Sequence, residues 1–363
     1  MRMRSWMGSS RRALLAIAGV LIALGTAEAV AGVARDRAFP YLNIFVADPT
    51  LGVRLATDSE ARVRSRLGRI TTVATNRDGF RGPEWTPARE GRPRVLVLGD
   101  SQAMGLHVEW TDTFAARLAT EHHIEALDAA VPTWGPAEHL AILDELAPRV
   151  RPTHVVLLLT VGNDWHEAGV PNTLRTTERD GWAIRPSLRK DEPADFPLRS
   201  FLLGRSHLVY AARQLMGHAT AVAPLRGDEP HRLVRDLDWL ARPPDGFRSR
   251  LGPTVRDLAA AAGSHGVEPI VVTLPLDVQV HAREWAKYRE RPLDTRATEA
   301  LATDLLADAD ALDVPAIDLL WTLRAASPGA FLPDDPHLSP RGHAAVATAI
   351  AEAVRAPSTE ARR

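Results

Sequence analysis

Four polar residues that could together carry out acyl chemistry are spread along the chain, each beside a predicted strand or helix. Ser101 comes directly after a run of valine and leucine at residues 94–98, which predicts a buried strand. Asn163 follows a second apolar run, and Asp334 and His337 precede the last predicted helix. A serine, a histidine, a carboxylate and an amide are the groups that serine-based acyl chemistry requires.

A sheet must gather these residues, and the pattern of apolar segments predicts one. Strands are predicted at about 94–98, 124–128, 154–160, 268–274 and 315–318, with helical segments between them. Such alternation is typical of a parallel sheet covered by helices on both faces. Right-handed crossovers favour a flavodoxin-like, three-layer α/β/α fold with a mostly parallel five-stranded sheet. Ligands bind at the carboxyl edge of such sheets, so we expect the four polar groups to meet there.

Three short motifs resemble the sequence blocks of the SGNH hydrolases, also known as GDSL hydrolases. The motifs are Gly99-Asp100-Ser101 with Gly105 four residues further on, Gly162-Asn163-Asp164, and Asp334-Asp335-Pro336-His337. An upstream segment, Thr75–Arg81, resembles one found before the Gly-Asp-Ser motif in membrane-anchored bacterial members. The resemblance covers about residues 75–355 and implies a serine ester hydrolase with an inserted cap region.

The resemblance implies a catalytic role for three side chains. Ser101 would attack an ester carbonyl, and His337 would take its proton and later protonate the leaving alcohol. Asp334, three residues before the histidine, would orient the ring and stabilise the imidazolium. Asp335 is the alternative for this carboxylate, although its spacing suits the family pattern less well.

The resemblance also implies an oxyanion hole made of backbone and side-chain donors. The backbone N–H of Ser101 and the side-chain amide of Asn163 are two of them. The family has a glycine as the third, and Thr133 stands at its place in this sequence. Gly135 is the alternative third donor if the register shifts by two residues. The supporting residues are expected to be Asp100 and Gly162.

Other residues near these motifs allow two interpretations each. Trp134 and Trp165 could form a platform for sugar rings or could pack the loops. His343 is expected at the surface or in a supporting position behind the site. The remaining histidines lack the spacing of metal ligands, so the sequence predicts neither a metal ion nor a cofactor.

The composition is that of a globular protein and narrows the possible functions. The chain has 363 residues, of which 45% are hydrophobic, and a formal net charge of -1. This charge gives no general attraction to nucleic acid. The sequence contains no cysteine, which excludes a thiol nucleophile, a disulfide framework and thiolate metal ligands.

The N-terminus indicates export. Basic residues precede an apolar segment, Ala13–Ala34, which is long enough to span a bilayer; they are Arg2, Arg4, Arg11 and Arg12. The positive charges predict a cytoplasmic N-terminus and an outward-facing body. Ala27-Glu28-Ala29 resembles a signal-peptidase site, so the segment is either an uncleaved single-pass anchor, which we favour, or a cleaved signal peptide.

The predicted organisation has four parts. Residues 1–35 form the anchor or signal peptide, residues 36–90 an extension, residues 91–355 the hydrolase domain, and residues 356–363 a tail. Within the domain, residues 165–252 break the strand–helix rhythm and are expected to cap the sheet. In this insertion, residues 181–184 indicate one arm of a hairpin, and residues 201–216 and 230–240 indicate amphipathic helices.

Together these features predict an exported serine esterase in the cell envelope, with O-acetyl or other O-acyl esters of carbohydrate as the leading substrate class. An O-acyltransferase that modifies envelope polysaccharide is the first alternative, because both reactions share the acyl-enzyme. A non-catalytic glycan-binding accessory protein is the second. The sequence makes no prediction of oligomeric state.

Overall fold

The computed structural model describes residues 3–88, 90–186, 195–215, 247–288 and 292–356. A long helix, α1 (Met3–Ala34), comes first. Two antiparallel hairpins follow it, β1 (Phe45–Asp48) with β2 (Gly52–Leu55), and β3 (Glu60–Arg64) with β4 (Ile70–Ala74). The predicted extension therefore contains regular structure, which the sequence analysis did not anticipate.

The central sheet is the predicted one. The remaining strands are β5 (Arg94–Leu98), β6 (Glu125–Asp128), β7 (His154–Thr160), β8 (Thr177–Arg179), β9 (Trp182–Ile184), β10 (Glu268–Leu274) and β11 (Ala316–Asp318). Five of them form one parallel sheet in the order β6-β5-β7-β10-β11. This is the flavodoxin-like order, so the predicted fold class is confirmed. The strand bounds agree with the prediction to within one residue.

The sequence of the central strands explains their position. All five residues of β5 are buried, as are the last six of β7. Continuous apolar runs of this kind suit strands that helices cover on both faces. The main hydrophobic core extends over both sides of this sheet and includes the N-terminal hairpins. The hairpins and the sheet therefore share one core.

The helices after β5 lie between and beyond the strands of the sheet, and some of them begin at a side-chain cap. They are α2 (Ser101–Met104), α3 (Phe114–Thr120), α4 (Pro136–Val150), α5 (Asp164–Glu167), α6 (Asn172–Arg175), α7 (Arg199–Gly204), α8 (His207–Leu215), α9 (Phe247–Ser264), α10 (Asp277–Val280), α11 (Arg296–Ala311), α12 (Leu319–Ala326) and α13 (Pro340–Arg355). Thr113 caps α3 and Ser339 caps α13 through their side-chain hydroxyls.

The region predicted as an insertion is described only in part. The hairpin β8–β9 is present, and its two-residue turn, Asp180-Gly181, has positive φ at both positions (56° and 89°), as a type I′ turn requires. The predicted helix at 201–216 is instead two helices, α7 and α8. The helix predicted at 230–240 lies outside the described residues.

The Thr75–Arg81 segment holds the loop that follows Ser101. Asn76 Oδ1 accepts hydrogen bonds from the N–H groups of Asp78 and Phe80, which closes the turn. The side chain of Arg81 is buried and donates to four backbone carbonyls, those of Thr72, Met104, Gly105 and Val108. Burial lowers the pKa of Arg81 to about 10, so its guanidinium stays charged at neutral pH.

The N-terminal helix has an exposed apolar surface and contacts the body near its carboxyl end. Its segment Arg11–Ala34 is long and apolar enough to cross a membrane. Near the end of this segment, the Glu28 carboxylate accepts hydrogen bonds from Ser206 Oγ (2.5 Å) and from the N–H groups of His207 (2.8 Å) and Leu208 (3.0 Å). Glu28 thus caps the first turn of α8.

Candidate active site

Ser101 lies at the carboxyl edge of the sheet, as predicted. It is the first residue of α2 and follows β5 after a two-residue turn. Asp100 is the N-cap of this helix, and its Oδ1 accepts from the Gln102 N–H at 2.8 Å. Its other oxygen accepts from Asn163 Nδ2 at 3.0 Å. Asp100 therefore connects the turn at Ser101 to the asparagine motif.

His337 contacts both a hydroxyl and a carboxylate. Its Nε2 lies 2.8 Å from Ser101 Oγ, and its Nδ1 is hydrogen-bonded to Asp335 Oδ1. Burial alone would lower the pKa of His337, but the adjacent Asp335 carboxylate outweighs burial and the net shift is upward. The converse holds for Asp335: burial raises its pKa, the His337 ring lowers it more, and the carboxyl stays ionised.

The prediction that Asp334 orients His337 is wrong, and Asp335 takes that place. The N–H of His337 donates to Asp335 Oδ1 at 2.9 Å, so the tight turn brings this carboxylate under the ring. Asp334 points the other way, and its Oδ2 accepts from the Leu67 N–H at 2.6 Å. The local geometry therefore supports Asp335, which the sequence analysis named as the alternative.

Gln102 holds the loop on either side of His337, a role that the sequence analysis missed. Its Nε2 donates to the carbonyl of Pro336 at 3.0 Å, and its Oε1 accepts from the N–H of Leu338 at 3.1 Å. One amide side chain thus bonds to both backbone neighbours of the histidine. The only feature of the sequence that indicates this role is the position of Gln102 next to Ser101.

A buried lysine holds the same loop from its other side. Lys287 Nζ donates to the carbonyls of Leu332 (2.9 Å) and Asp335 (3.1 Å). It also lies 2.8 Å from Asp277 and 2.7 Å from Glu284. Burial would lower the pKa of Lys287, but these carboxylates raise it, so the ammonium stays charged. Nothing in the sequence indicated this contact between distant segments.

A second histidine lies beside the other carboxylate oxygen of Asp335, next to the ring of His337. His107 Nε2 is 3.7 Å from Asp335 Oδ2, and burial lowers the pKa of His107, which favours a neutral ring. His107, Asp335 and His337 each place one possible ligand atom within 4.8 Å of the others. A metal ion bound by these three residues would compete with the hydrogen bond between the Asp335 carboxylate and His337 Nδ1.

Two of the four predicted oxyanion donors are engaged elsewhere. Asn163 Nδ2 donates to Asp100 Oδ2 at 3.0 Å and to Glu167 Oε2 at 3.1 Å, which uses both amide hydrogens. The Gly135 N–H donates to Glu138 Oε2 at 3.0 Å. In this arrangement neither Asn163 nor Gly135 has a free donor, because carboxylates are the stronger acceptors.

The other two predicted donors, the N–H groups of Ser101 and Thr133, have no acceptor among the described residues. Thr133 has φ of +80°, a value that suits glycine and strains a β-branched residue. The Trp134 N–H donates to the Val131 carbonyl at 3.3 Å, which closes a turn with Pro132 and Thr133 at its centre. Proline followed by a positive φ is the pattern of a type II turn. The backbone at Thr133 is therefore that of a glycine.

Acidic residues crowd the turn that carries Asn163. Gly162 is buried, and the turn is closed by the Asn163 N–H, which donates to the Thr160 carbonyl at 3.0 Å. Burial raises the pKa of both Asp164 and Glu167. Glu167 pairs with Arg175 at 3.2 Å. The described cluster thus joins the asparagine motif to α6.

The neighbouring aromatic residues are buried. Trp134 and Trp165 are each 0% exposed, and Trp134 Nε1 donates to the Val53 carbonyl at 2.8 Å. Both rings pack the loops, so the platform interpretation is wrong. His343 is also buried, its Nδ1 accepts from the Phe114 N–H, and burial lowers its pKa to about 3. His343 therefore lies in a supporting position behind the site, which is one of the two locations predicted for it.

We predict that replacing Asp335, and not Asp334, changes the titration of His337. Without the Asp335 carboxylate, burial lowers the pKa of His337 more than Asp100 raises it, so the pKa in Asp335→Asn should fall below the ordinary value of about 6.5. In the wild type and in Asp334→Asn it should lie above that value. NMR of the ring carbon protons against pH measures this. Equal effects of both substitutions would contradict the assignment of Asp335.

Comparison with known proteins matches the carboxyl-terminal third of the chain to a family. Residues 248–362 match the model of a family described as "SGNH hydrolase-like domain, acetyltransferase AlgX". This segment includes Asp335, His337 and Lys287. A search of curated proteins finds no match to this chain.

Solved structures with a similar course of the chain are distant in sequence. One is Est24, a carbohydrate acetylesterase from Sinorhizobium meliloti, with 13% identity, coverage of 73% of this chain and 99% of that chain, and a TM-score of 0.40. Another is a GDSL-like lipase from Bacteroides thetaiotaomicron, with 11% identity, coverage of 74% and 91%, and a TM-score of 0.39.

The family match and the chain's own sheet agree. The match covers the carboxyl-terminal part of the fold, and the five parallel strands have the order expected from the SGNH resemblance. Residues 248–362 are therefore similar to an SGNH hydrolase-like domain, in agreement with the resemblance of the sequence motifs.

Proposed function

We propose that this protein is an exported serine esterase that acts through an acyl-enzyme, with Ser101 as nucleophile, His337 as base and Asp335 as the orienting carboxylate. The observation that carries the proposal is the 2.8 Å contact between His337 Nε2 and Ser101 Oγ, with Asp335 on the other ring nitrogen. A nucleophile bonded to a base, and a base bonded to an orienting group, is the arrangement that such chemistry needs.

The first half of the reaction forms the acyl-enzyme. Ser101 Oγ bonds to the carbonyl carbon of the ester while its proton passes to His337 Nε2. The tetrahedral intermediate then breaks its bond to the alcohol oxygen, which takes the proton from His337. Asp335 stabilises the imidazolium in between, consistent with the upward shift in the pKa of His337.

The second half transfers the acyl group to a hydroxyl. Water, or the hydroxyl of an acceptor, gives its proton to His337 Nε2 and bonds to the acyl carbon. The bond to Ser101 Oγ then breaks, and the serine recovers its proton. The N–H groups of Ser101 and Thr133 serve as oxyanion donors in both halves, since each lacks another acceptor among the described residues.

A second candidate is O-acetyl transfer to a sugar hydroxyl. The description of the matching family as an acetyltransferase favours this reaction. The residues that form the acyl-enzyme are the same in both cases, so only the acceptor differs. We propose carbohydrate O-acetyl esters as the substrate class, because the family description names acetyl transfer and the predicted outward location gives access to envelope polysaccharide.

We also propose that α1 stays attached as a membrane anchor. Cleavage after Ala29 would remove Glu28, which caps α8 in the body. The body is thus bonded to the last turns of the helix, which supports the uncleaved form and an outward-facing site next to the membrane.

The nucleophile is tested by covalent labelling and kinetics. The full chain in detergent should hydrolyse p-nitrophenyl acetate, and a serine-directed phosphonate should label Ser101. Ser101→Ala and His337→Ala should each lower kcat by roughly 10⁴–10⁶, because the residues act as a unit. The control is His343→Gln, which lies outside the proposed machinery. A folded protein without labelling or turnover would favour a glycan-binding accessory protein instead.

The acceptor is tested by following both products. Purified protein is incubated with an acetylated oligosaccharide, with and without a non-acetylated sugar, and released acetate is compared with transferred acetate by mass spectrometry. An esterase releases acetate at a rate that the acceptor does not change. An acetyltransferase forms acetylated acceptor, and Ser101→Ala abolishes either product.

The retained anchor is tested by mass and stability. Protein extracted from membranes should contain the residues before Val30, and Ala29→Leu, which destroys the cleavage motif, should leave its mass otherwise unchanged. Glu28→Ala should lower the free energy of unfolding by about 1 kcal/mol through the lost cap. A mature N-terminus at Val30 would refute the anchor.

A further inference from the structure

We propose that His107 is a positioning residue for the carboxylate of Asp335, which it holds in the orientation that bonds to His337. The proposal rests on the function proposed above and adds a residue to it. Asp335 uses one carboxylate oxygen, Oδ1, for both the N–H and the Nδ1 of His337. Its other oxygen, Oδ2, faces His107 Nε2 at 3.7 Å. The carboxylate thus lies between two imidazole rings, whose centroids are 5.7 Å apart.

The second oxygen of Asp335 matters because a carboxylate bonded through one oxygen can still rotate. The torsion about its Cβ–Cγ bond is broad, as it is for other terminal bonds between sp³ and sp² carbons. A donor on Oδ2 restricts this rotation. The distance of 3.7 Å exceeds that of a hydrogen bond, so the contact in the free protein is electrostatic. Contacts in active sites are often long in the free enzyme and shorten when the substrate is bound.

His107 is suited to act as a neutral donor. It is only 9% exposed, and burial lowers its pKa, which favours the uncharged ring at neutral pH. A neutral imidazole carries its hydrogen on one nitrogen, and the Asp335 carboxylate beside Nε2 favours it there. His107 therefore presents an N–H to Oδ2 without adding a second positive charge next to His337.

The backbone at His107 supports a functional role for this side chain. The Val108 N–H donates to the Gly105 carbonyl at 3.2 Å, which closes a turn with Leu106 and His107 at its centre. His107 has φ of +68°, and a positive φ at the third residue of a turn suits glycine. Other residues keep this conformation where the surrounding structure imposes it, and they are concentrated at active sites.

The turn that carries His107 is fixed from two sides. The guanidinium of Arg81 donates to the carbonyls of Gly105 (2.6 Å) and Val108 (2.7 Å), the first and last residues of the turn. The Leu106 N–H donates to the carbonyl of Ser101 at 3.0 Å. The position of the His107 ring is thus set by the buried Arg81 and by the helix that begins with the nucleophile.

Two substitutions of similar length separate the donor from packing. His107→Gln keeps an N–H near the position of Nε2, whereas His107→Met has no donor. In the full chain in detergent, His107→Met should lower kcat for p-nitrophenyl acetate about 10- to 100-fold and change KM less, because misplacing Asp335 affects the transition state and not the binding of the ester. His107→Gln should stay within about threefold of the wild type, since its amide replaces the ring N–H.

The proton between Asp335 and His337 reports the positioning directly and does not depend on turnover. In a short hydrogen bond between histidine and a carboxylate, the Nδ1 proton resonates far downfield and exchanges slowly with water. NMR should show this signal in the wild type and in His107→Gln, and should show it broadened or lost in His107→Met. A merely structural role of His107 would lower the thermal melting temperature of both variants and leave the signal in place.

Another histidine with positive φ provides the matched control. His123 has φ of 58° and comes just before β6, at the edge of the sheet opposite to Ser101. His123→Met should change neither kcat nor the downfield signal. If His107→Met fails to fold, His107→Asn takes its place, because asparagine accepts positive φ and its amide is too short to reach Asp335 Oδ2.

The outcomes separate the two proposals. Wild-type protein without turnover that depends on Ser101 overturns the proposed function. A folded His107→Met with the kcat of the wild type, or with an intact downfield signal, overturns only the positioning role, as do equal losses in His107→Met and His107→Gln. Turnover that a chelator removes and Zn²⁺ restores also overturns it, because His107 would then act as a metal ligand.

Discussion

The hydrogen bond between His337 Nε2 and Ser101 Oγ joins two residues that are 236 positions apart, and the rest of the site is arranged around it. The parallel sheet satisfies this constraint, because every strand ends at the same edge. The bond also needs both loops to be fixed. Gln102 fixes the backbone on either side of His337, and Lys287 fixes the carbonyl of Asp335.

The site has two halves that are held by different ionic clusters. The loop that carries His337 is bonded to Lys287, which is paired with Asp277 and Glu284. The turn at Thr133 is bonded to Arg175, which is paired with Glu138 and Glu167. In each half a cation that is largely shielded from water bonds to a backbone carbonyl of a loop, and the paired carboxylates keep the cation in place. Such pairs contribute precision of geometry more than net stability.

The strands and the helix starts could be predicted from the sequence because each depends on a short-range pattern of residues. Apolar runs predict the strands, Ser339 and Pro340 predict the start of the last helix, and the distance in sequence between motifs does not matter once strands are parallel. The sequence could not decide between Asp334 and Asp335, because both are close enough along the chain to reach the ring of His337. A backbone hydrogen bond from His337 to Asp335 decides it.

The sequence alone determined the fold class and the strand order, and it predicted that Ser101 and His337 meet at the carboxyl edge of the sheet, because these features depend on periodicity, caps and spacing. Only the tertiary structure decided which carboxylate contacts the histidine, that the Asn163 amide is taken by Asp100 and Glu167, and that Thr133 has the backbone of a glycine. The physical reason is that hydrogen-bond partners of buried polar groups come from segments far apart in the chain. Which partner each buried polar group bonds to is therefore decided only by how these segments pack in the folded protein.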